Sequence, residues 1–303
     1  MISALPLRPL RPGMRIQLIA PSSPFPQDDF ALGVAKLEAR YEVRYSPAIC
    51  DRHGFLAGSD ERRAAELLAA IEDDGVDAIV AARGGHGATR ILSRIDPGAI
   101  ARHPKPLVGF SDVTALHAQW ARAGLGSIHG PMVAALGRSS EALVQRWIAA
   151  LEGDFGEALQ GLSAIGPGRA HGRVRGRLFG GNLTVLTALM GTPYAPPLAG
   201  AVLFLEDHGE RPYRVDRMLT SWRNAGWLDS LHAIVLGTFT DCGPGPDGMT
   251  IEQVLEANLG SLALPVLSGL PAGHVDDNRE LPLGALCEVD PARGSVTFAA
   301  TTA

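Results

Sequence analysis

Short β-rich apolar runs alternate with helix-patterned segments through the first half of the chain, and this alternation constrains the fold more than any other feature. RIQLIAP (Arg15–Pro21) is followed by DDFALGVAKLEAR, YEVRYSP by SDERRAAELLAAIED, and VDAIVAARGG and PLVGFS extend the series. Such a rhythm predicts βαβ units on a parallel sheet, because parallel neighbours need a crossover between them and a helix is the usual one. The helix expected from Ser59 shows the local logic: a serine N-cap, then Asp60 and Glu61 in the first turn, where the helix dipole favours negative charge. SSEALVQRWIAALEG closes this half near residue 152.

From Gly153 to Gly172 the chain is rich in glycine and lacks a sustained period, which predicts a connection between two domains, 1–152 and 173–303. The length of 303 residues gives each enough chain for its own core. Beyond the connection, strands are expected at GRVRGRLFG, AVLFLED, AIVLGTF and PVLSGLP, and helices at NLTVLTALMG, YRVDRMLTSWRNAG and IEQVLEANLG. The tail, ALCEVDPARGSVTFAA, reads as two strands around a Pro-Ala-Arg-Gly turn.

Composition narrows the partners. With 27 basic against 32 acidic residues the net charge is −5, so no basic field draws nucleic acid or an anionic membrane, and neither is expected as a partner. Cys50, Cys242 and Cys287 are too few and too scattered for a disulfide framework or a CxxC metal site, and read as reduced, structural thiols. Prolines and arginines interrupt MISALPLRPLRPGMRI where a signal peptide needs an unbroken apolar core, and no run approaches eighteen apolar residues. A cytoplasmic location is the expectation, with no metal and no cofactor.

In a parallel sheet, ligands bind outside the carboxyl ends of the strands. Four polar places follow apolar runs: Arg83-Gly84-Gly85-His86-Gly87, Ser111-Asp112, Glu206-Asp207 and Gly273-His274. A serine becomes a nucleophile when a base takes its proton, a third group holds that base in one tautomer, and backbone amides receive the oxyanion. Ser111, His274, Glu206 and the RGGHG turn can fill those roles. The plain alternatives stand beside them. Ser-Asp before a helix also reads as an N-cap, Glu206-Asp207 as a solvated strand end, and His274 as a loop histidine. His53, His103, His117 and His129 have no metal-ligand spacing and read as surface or packing residues.

Taken together, RGGHG, GFSD, HGPM, GGNL, FLEDHGERPYRVDRML, GTF and GLPAGH followed by LPLGA resemble, in that order, the motifs of the LD-carboxypeptidase family of serine peptidases. The resemblance runs from Ile19 to about Ala285. It implies Ser111 as nucleophile, Glu206 as the acid that orients the histidine, and His274 as general base, with the amides of Gly85 and Asp112 as the oxyanion hole and His86 and Asn182 as substrate contacts. It also implies an α/β fold, with an N-terminal flavodoxin-like or amidotransferase-like parallel-sheet domain, a C-terminal α/β domain with a small barrel-like sheet, and the active site between them. The partner implied is a muropeptide, a small peptide losing its terminal D-Ala in peptidoglycan recycling, and the implied assembly is a cytosolic homodimer.

His86 stands where many relatives have a tyrosine, and Val113 where the nucleophile elbow of α/β-hydrolases has its last glycine. A second branch of the family, the microcin-immunity type, cleaves aminoacyl- or peptidyl-nucleotide conjugates and needs an aromatic surface for the base; near the acidic motif this chain offers Tyr213, with Trp222 deeper in a helix. A binding protein without turnover has no need of all three triad residues, and an amidotransferase needs a cysteine where Ser111 stands.

Overall fold

In the first half the expected alternation resolves into β1 (Arg15–Ile19), α1 (Gln27–Glu38), β2 (Glu42–Arg44), α2 (Asp60–Glu72), β3 (Ala78–Ala81), α3 (Ala88–Ile91), α4 (Pro97–Arg102), β4 (Leu107–Gly109), α5 (Thr114–Arg122), β5 (Ser127–His129), α6 (Val133–Arg138) and α7 (Glu141–Leu151). Capping decides several of the starts. The Ser59 and Ser140 hydroxyls accept from the amides of Arg62 and Leu143, and Asp96 accepts from Gly98 with Pro97 at the first helical position. The second half supplies β6 (Ser163–Ala164), β7 (Val174–Asn182), α8 (Leu183–Leu189), β8 (Val202–His208), α9 (Pro212–Asn224), β9 (Ala233–Thr240), α10 (Ile251–Leu259), β10 (Val266–Ser268), β11 (Leu281–Leu283), β12 (Leu286–Asp290) and β13 (Ser295–Phe298). This is a computed structural model, and it describes residues 5–166 and 172–299.

The chain forms two units. One holds Leu5–Phe155 and Glu280–Pro282, the other Gly156–Arg279 and Leu283–Ala299. The first unit's sheet has the order β2-β1-β3-β4-β5, all parallel, with β11 added beside β5. Order 2-1-3-4-5 is that of flavodoxin-like folds, as expected. The extra edge strand is not legible in LPLGA, because three residues give no period and their pairing partner lies about 150 positions away. Within the stretch read as a connection, Ser163–Ala164 forms β6, and residues 167–171 lie outside the described residues.

The second unit's sheet runs β13-β12-β7-β8-β9-β10-β6. Its centre, β7 to β10, is parallel, its flanks are antiparallel, and it curls into a half-barrel. Close approach of β7 to β8 depends on glycine: a Cβ on Gly180, whose φ is +139°, would stand 1.8 Å from the Phe204 carbonyl oxygen.

In the first unit, β1, β3, β4 and β5 contribute Leu18, Val80, Val108 and Ile128 to a core closed by Phe30, Val34 and Leu37 of α1, Val133 and Leu136 of α6, and Trp147 of α7. Helices α1 and α6 meet backbone to backbone: a Cβ on Gly33 would lie 2.0 Å from the Val133 carbonyl oxygen, and one on Gly137 2.0 Å from that of Asp29. Lys36 Nζ donates to the carbonyls of Leu136, Gly137 and Ser139 at 2.9, 3.0 and 2.7 Å, satisfying the end of α6. Alanine is the better helix former by about 1 kcal/mol, yet Gly33→Ala is expected to destabilise the protein by about 1–3 kcal/mol through overpacking. Urea unfolding checks the sign; a stabilised variant would show that the helices separate without cost.

Candidate active site

Three strands of the first unit end at the same edge, and their following turns pack on one another. After β1, Ser23 donates its amide to the Gly84 carbonyl (3.2 Å), and its hydroxyl accepts from the His86 amide (3.1 Å). After β3, Gly85 and Gly87 take φ of +109° and +127°, which the RGGHG turn needs. After β4, Ser111 takes φ +62°, the left-handed region that residues other than glycine seldom adopt. A Cβ on Gly84 would lie 3.0 Å from that of Ser111, so a larger residue there would push the two turns apart by a few tenths of an ångström.

This geometry replaces the N-cap reading of Ser-Asp. An N-cap has extended backbone and a side chain that accepts from its own helix, whereas Ser111 is left-handed, and neither the short 3₁₀ turn Ser111–Val113 nor α5 has a side-chain cap. The Asp112 carboxylate, buried, accepts instead from the amide of Ala88 at 2.8 Å, tying the start of α3 to the serine turn. Its own amide opens the 3₁₀ turn, where helix amides have no partner within the helix.

Two supports for these turns escape sequence reading. Arg63 of α2 has no exposed surface, and its guanidinium donates to the carbonyls of Pro21 and Gly87 and to Asp60, whose carboxylate Arg90 also holds. Asp60, legible as a dipole-complementing acid, is therefore also the anchor of a buried arginine beneath RGGHG. His117 of α5, read as a surface or packing residue, lies buried under the serine turn: Nε2 is 2.9 Å from the Gly109 carbonyl oxygen and Nδ1 2.8 Å from the Ser127 hydroxyl. Burial pushes its pKa down to about 4, and the imidazole is held neutral, Nε2–H donating to the carbonyl and Nδ1 accepting from the hydroxyl. His129 is also buried, stacked edge-on against Phe110, and His53 is exposed. His86 is exposed beside Phe55, ring centroids 5.4 Å apart.

The second unit brings Glu206 and His274, 68 positions apart, into one hydrogen bond: His274 Nδ1 to Glu206 Oε2, 2.7 Å. Glu206 is 0% exposed, so the solvated-strand-end reading does not describe it. Burial pushes its carboxyl above the ordinary value, against the opposing pull of His274. Between Leu205 and Asp207 the β8–β9 register shifts, since Leu205 pairs Leu236 while Asp207 pairs Phe239; the extra residue belongs to β9, so Gly237 and Thr238 stand opposite Glu206. The 273–274 loop then closes over the carboxylate. Gly273 has φ +127°, and a Cβ there would stand 2.9 Å from Glu206 Oε2 and 2.6 Å from Thr238 Oγ1. The buried Asn278 holds the same loop by accepting from the Gly273 amide at 2.9 Å.

Asn182, expected to touch substrate, is buried beside this pair. Its Nδ2 donates to Asp207 (3.0 Å) and its Oδ1 accepts from the Val185 amide, capping α8 (3.1 Å). The structure thus shows Asn182 as a brace between α8 and β8. Asp207 also accepts from Thr184 and His208, so neither member of Glu206-Asp207 reaches solvent through its carboxylate. Among the described residues no three His, Cys, Asp or Glu side chains gather as a metal-binding group, and no helix is long and apolar enough to cross a membrane. All three cysteines are free, and burial raises the Cys242 and Cys287 thiols to about 11 and about 12, so neither is an ionised nucleophile at neutral pH.

Comparison with known proteins identifies the family. Models of the LD-carboxypeptidase N-terminal and C-terminal domains match residues 16–130 and 175–289. The murein tetrapeptide carboxypeptidase of Pseudomonas aeruginosa is 35% identical over 283 residues, covering 89% of this chain and 91% of that one. Among solved structures, the muramoyltetrapeptide carboxypeptidase of Oxalobacter formigenes reaches a TM-score of 0.82 at 30% identity, over 94% of this chain and 98% of its own. The microcin C7 self immunity protein MccF reaches 0.85 at 24% identity over 99% and 98%, a likeness of fold.

His117 gives the site a measurable pH signature. Its folded pKa of about 4 lies below the ordinary 6.5, so the unfolded chain takes up a proton that the folded one refuses. The stability concerned is fully present above about 6.5 and is lost as pH falls towards 4, on the order of 3 kcal/mol in all. Chemical unfolding of His117→Gln and the unsubstituted protein at pH 7 and 4.5 is expected to show the gap between them shrinking, or reversing, at the lower pH. A constant gap would mean that His117 titrates alike in both states.

Proposed function

Because the chain belongs to the LD-carboxypeptidase family and is a serine-type carboxypeptidase, we propose that it releases the terminal D-Ala from the murein tetrapeptide L-Ala-D-Glu-meso-diaminopimelate-D-Ala, in cytoplasmic peptidoglycan recycling. The murein peptides named in its relatives support that substrate class. Ser111 is the nucleophile, His274 the base and Glu206 the acid that orients it, while the amides of Gly85 and Asp112 receive the oxyanion.

The observation that carries this reading is the left-handed backbone of Ser111 at the end of β4. Strained conformers of this kind cost about 1–3 kcal/mol each and persist where the surroundings over-determine them. An N-cap needs no such strain; a hydroxyl lifted off the sheet edge does. In the second unit, the His274–Glu206 hydrogen bond directs Nδ1–H to the carboxylate and leaves Nε2 as the nitrogen that accepts a proton.

The chemistry then follows in order. His274 Nε2 takes the Ser111 proton as Oγ attacks the carbonyl carbon of the diaminopimelate–D-Ala bond, and negative charge collects on the carbonyl oxygen facing the two amides. The imidazolium is stabilised by Glu206 and passes its proton to the leaving D-Ala nitrogen. A water, activated by the same nitrogen, then releases the tripeptide from Ser111 and restores the hydroxyl. Exposed His86 and Phe55 border the RGGHG turn and are the side chains through which that turn meets substrate. Trp222 is fully buried, its Nε1–H bonded to Thr187, and offers no face to a nucleotide base.

Ser111→Ala is expected to leave the melting temperature nearly unchanged while D-Ala release falls by at least about 10⁴-fold. A lowered melt with turnover preserved would return Ser111 to a capping role. Glu206→Gln adds a stability sign. A carboxyl whose folded pKa is raised contributes stability below its unfolded value and loses it as pH rises through the folded value, so burial makes the charged form of Glu206 the costlier one in the fold. The variant should therefore melt at or above the unsubstituted protein at pH 7, with turnover reduced by about 10⁴-fold. Near-normal turnover in the folded variant would count against the orienting role.

A further inference from the structure

The triad explains how an acyl bond is cut but not why only the last residue is removed. In a carboxypeptidase substrate the free carboxylate lies one carbon from the scissile nitrogen. Whatever receives it must stand beside the imidazole that protonates that nitrogen, and this reasoning rests on the carboxypeptidase reading above. Three arginines stand near these turns: Arg83 donates to the Pro24 carbonyl (2.6 Å), Arg214 lies against the Tyr213 hydroxyl (3.3 Å) and Glu210 (3.5 Å), and Arg211 is exposed at the start of α9.

Beside His274 the structure sets a second imidazole. The ring of His208 lies 4.9 Å from that of His274, centroid to centroid, the planes inclined at 36°. His208 ends β8, two residues beyond Glu206, and its amide donates to Asp207 at 2.8 Å, which fixes the strand end. Its Nε2 lies 3.2 Å from Asp241 Oδ2, and Asp241 adopts φ +54° just after β9, a second non-glycine residue in the left-handed region. Exposure rises in steps through the cluster: Glu206 is buried, the His274 side chain is 22% exposed and that of His208 48%. The strained turn that presents Asp241 thus serves a half-exposed imidazole lying against the proposed base at a tilt.

We propose that His208, held by Asp241, is the specificity-determining residue that receives the terminal carboxylate of the leaving amino acid. Asp241 accepts Nε2–H, which turns Nδ1 to the ligand; with a carboxylate there Nδ1 must carry a proton, so binding makes His208 an imidazolium between two carboxylates. The groups about it are Asp241 from the end of β9, His274 from the 273–274 loop, and Glu206 bonded to His274, while the Asp207 carboxylate turns to Asn182 and Thr184. Two carboxylates thus flank the imidazole pair, so a peptide carboxylate arriving without that cation meets like charge. An amide or a continuing chain gives no such pairing, and this favours cutting at the end.

The test compares the tetrapeptide ending in D-Ala with its C-terminal amide, following the shortened peptide by chromatography. The unsubstituted protein should prefer the free acid. In His208→Gln, KM for the acid should rise about 10- to 100-fold, the range of a lost charged hydrogen bond, and the acid-to-amide ratio should fall towards one. His208→Lys, which restores a cation, should recover part of the preference. An unchanged ratio in His208→Gln overturns the assignment alone, as does a ratio that collapses in Arg211→Ala but not in His208→Gln. No product from either peptide with the unsubstituted protein overturns the carboxypeptidase reading and this assignment with it.

Discussion

A carboxylate with no exposed surface has to be compensated, and the second unit is arranged around that demand at Glu206. Its compensation is a hydrogen bond from His274, delivered by a loop that only glycine at 273 can bring so close. Asn278 holds the loop from beneath. A bulge in β9 stands opposite Glu206, and Asn182, Thr184 and the His208 amide occupy the neighbouring Asp207. Were Glu206 exposed, none of these constraints would be needed; buried, it forces each of them. What is gained is an imidazole fixed in one tautomer before any substrate arrives.

The first unit meets a different demand with related means. Its serine turn is strained rather than desolvated, and the strain is held from three sides: RGGHG packs on it through Gly84, Asp112 ties it to the start of α3, and neutral His117 binds the carbonyl of Gly109 below it. Arg63 in turn holds RGGHG through the Gly87 carbonyl. A buried carboxylate and a left-handed serine both cost stability, and they are concentrated around the residues with chemical roles. That pattern is expected where geometry is preserved for function at the expense of folding free energy.

Both units place their chemistry at strand ends. β1, β3 and β4 deliver Ser23, RGGHG and Ser111 in one, and β8 and β9 deliver Glu206, His208 and Asp241 in the other. A strand fixes its last residue by a ladder of hydrogen bonds on both sides, so the first residue beyond inherits that precision while remaining free to depart from regular backbone. The non-glycine residues with positive φ among the described residues are Ser111 and Asp241, and each lies within two residues of a strand end. The carboxylate assignment to His208 extends this logic from the bond that is broken to the group that leaves.

Sequence alone determined the alternation of strands and helices, the parallel character of the first sheet, and the four polar strand ends from which the candidate triad was read, because hydrophobic period and strand-end position are local properties. Ordered motifs added the family, since their combination constrains far more than any single turn. Tertiary structure decided the rest. That Glu206 is buried, that Ser111 is left-handed rather than a cap, that His117 and Arg63 lie beneath the turns, that LPL joins the first sheet and that His208 lies against His274 all depend on contacts between residues far apart in the chain. No local pattern records such contacts: a polar side chain after an apolar run looks the same whether the fold covers it or leaves it in water, and burial is what converts it from surface decoration into a constrained chemical group.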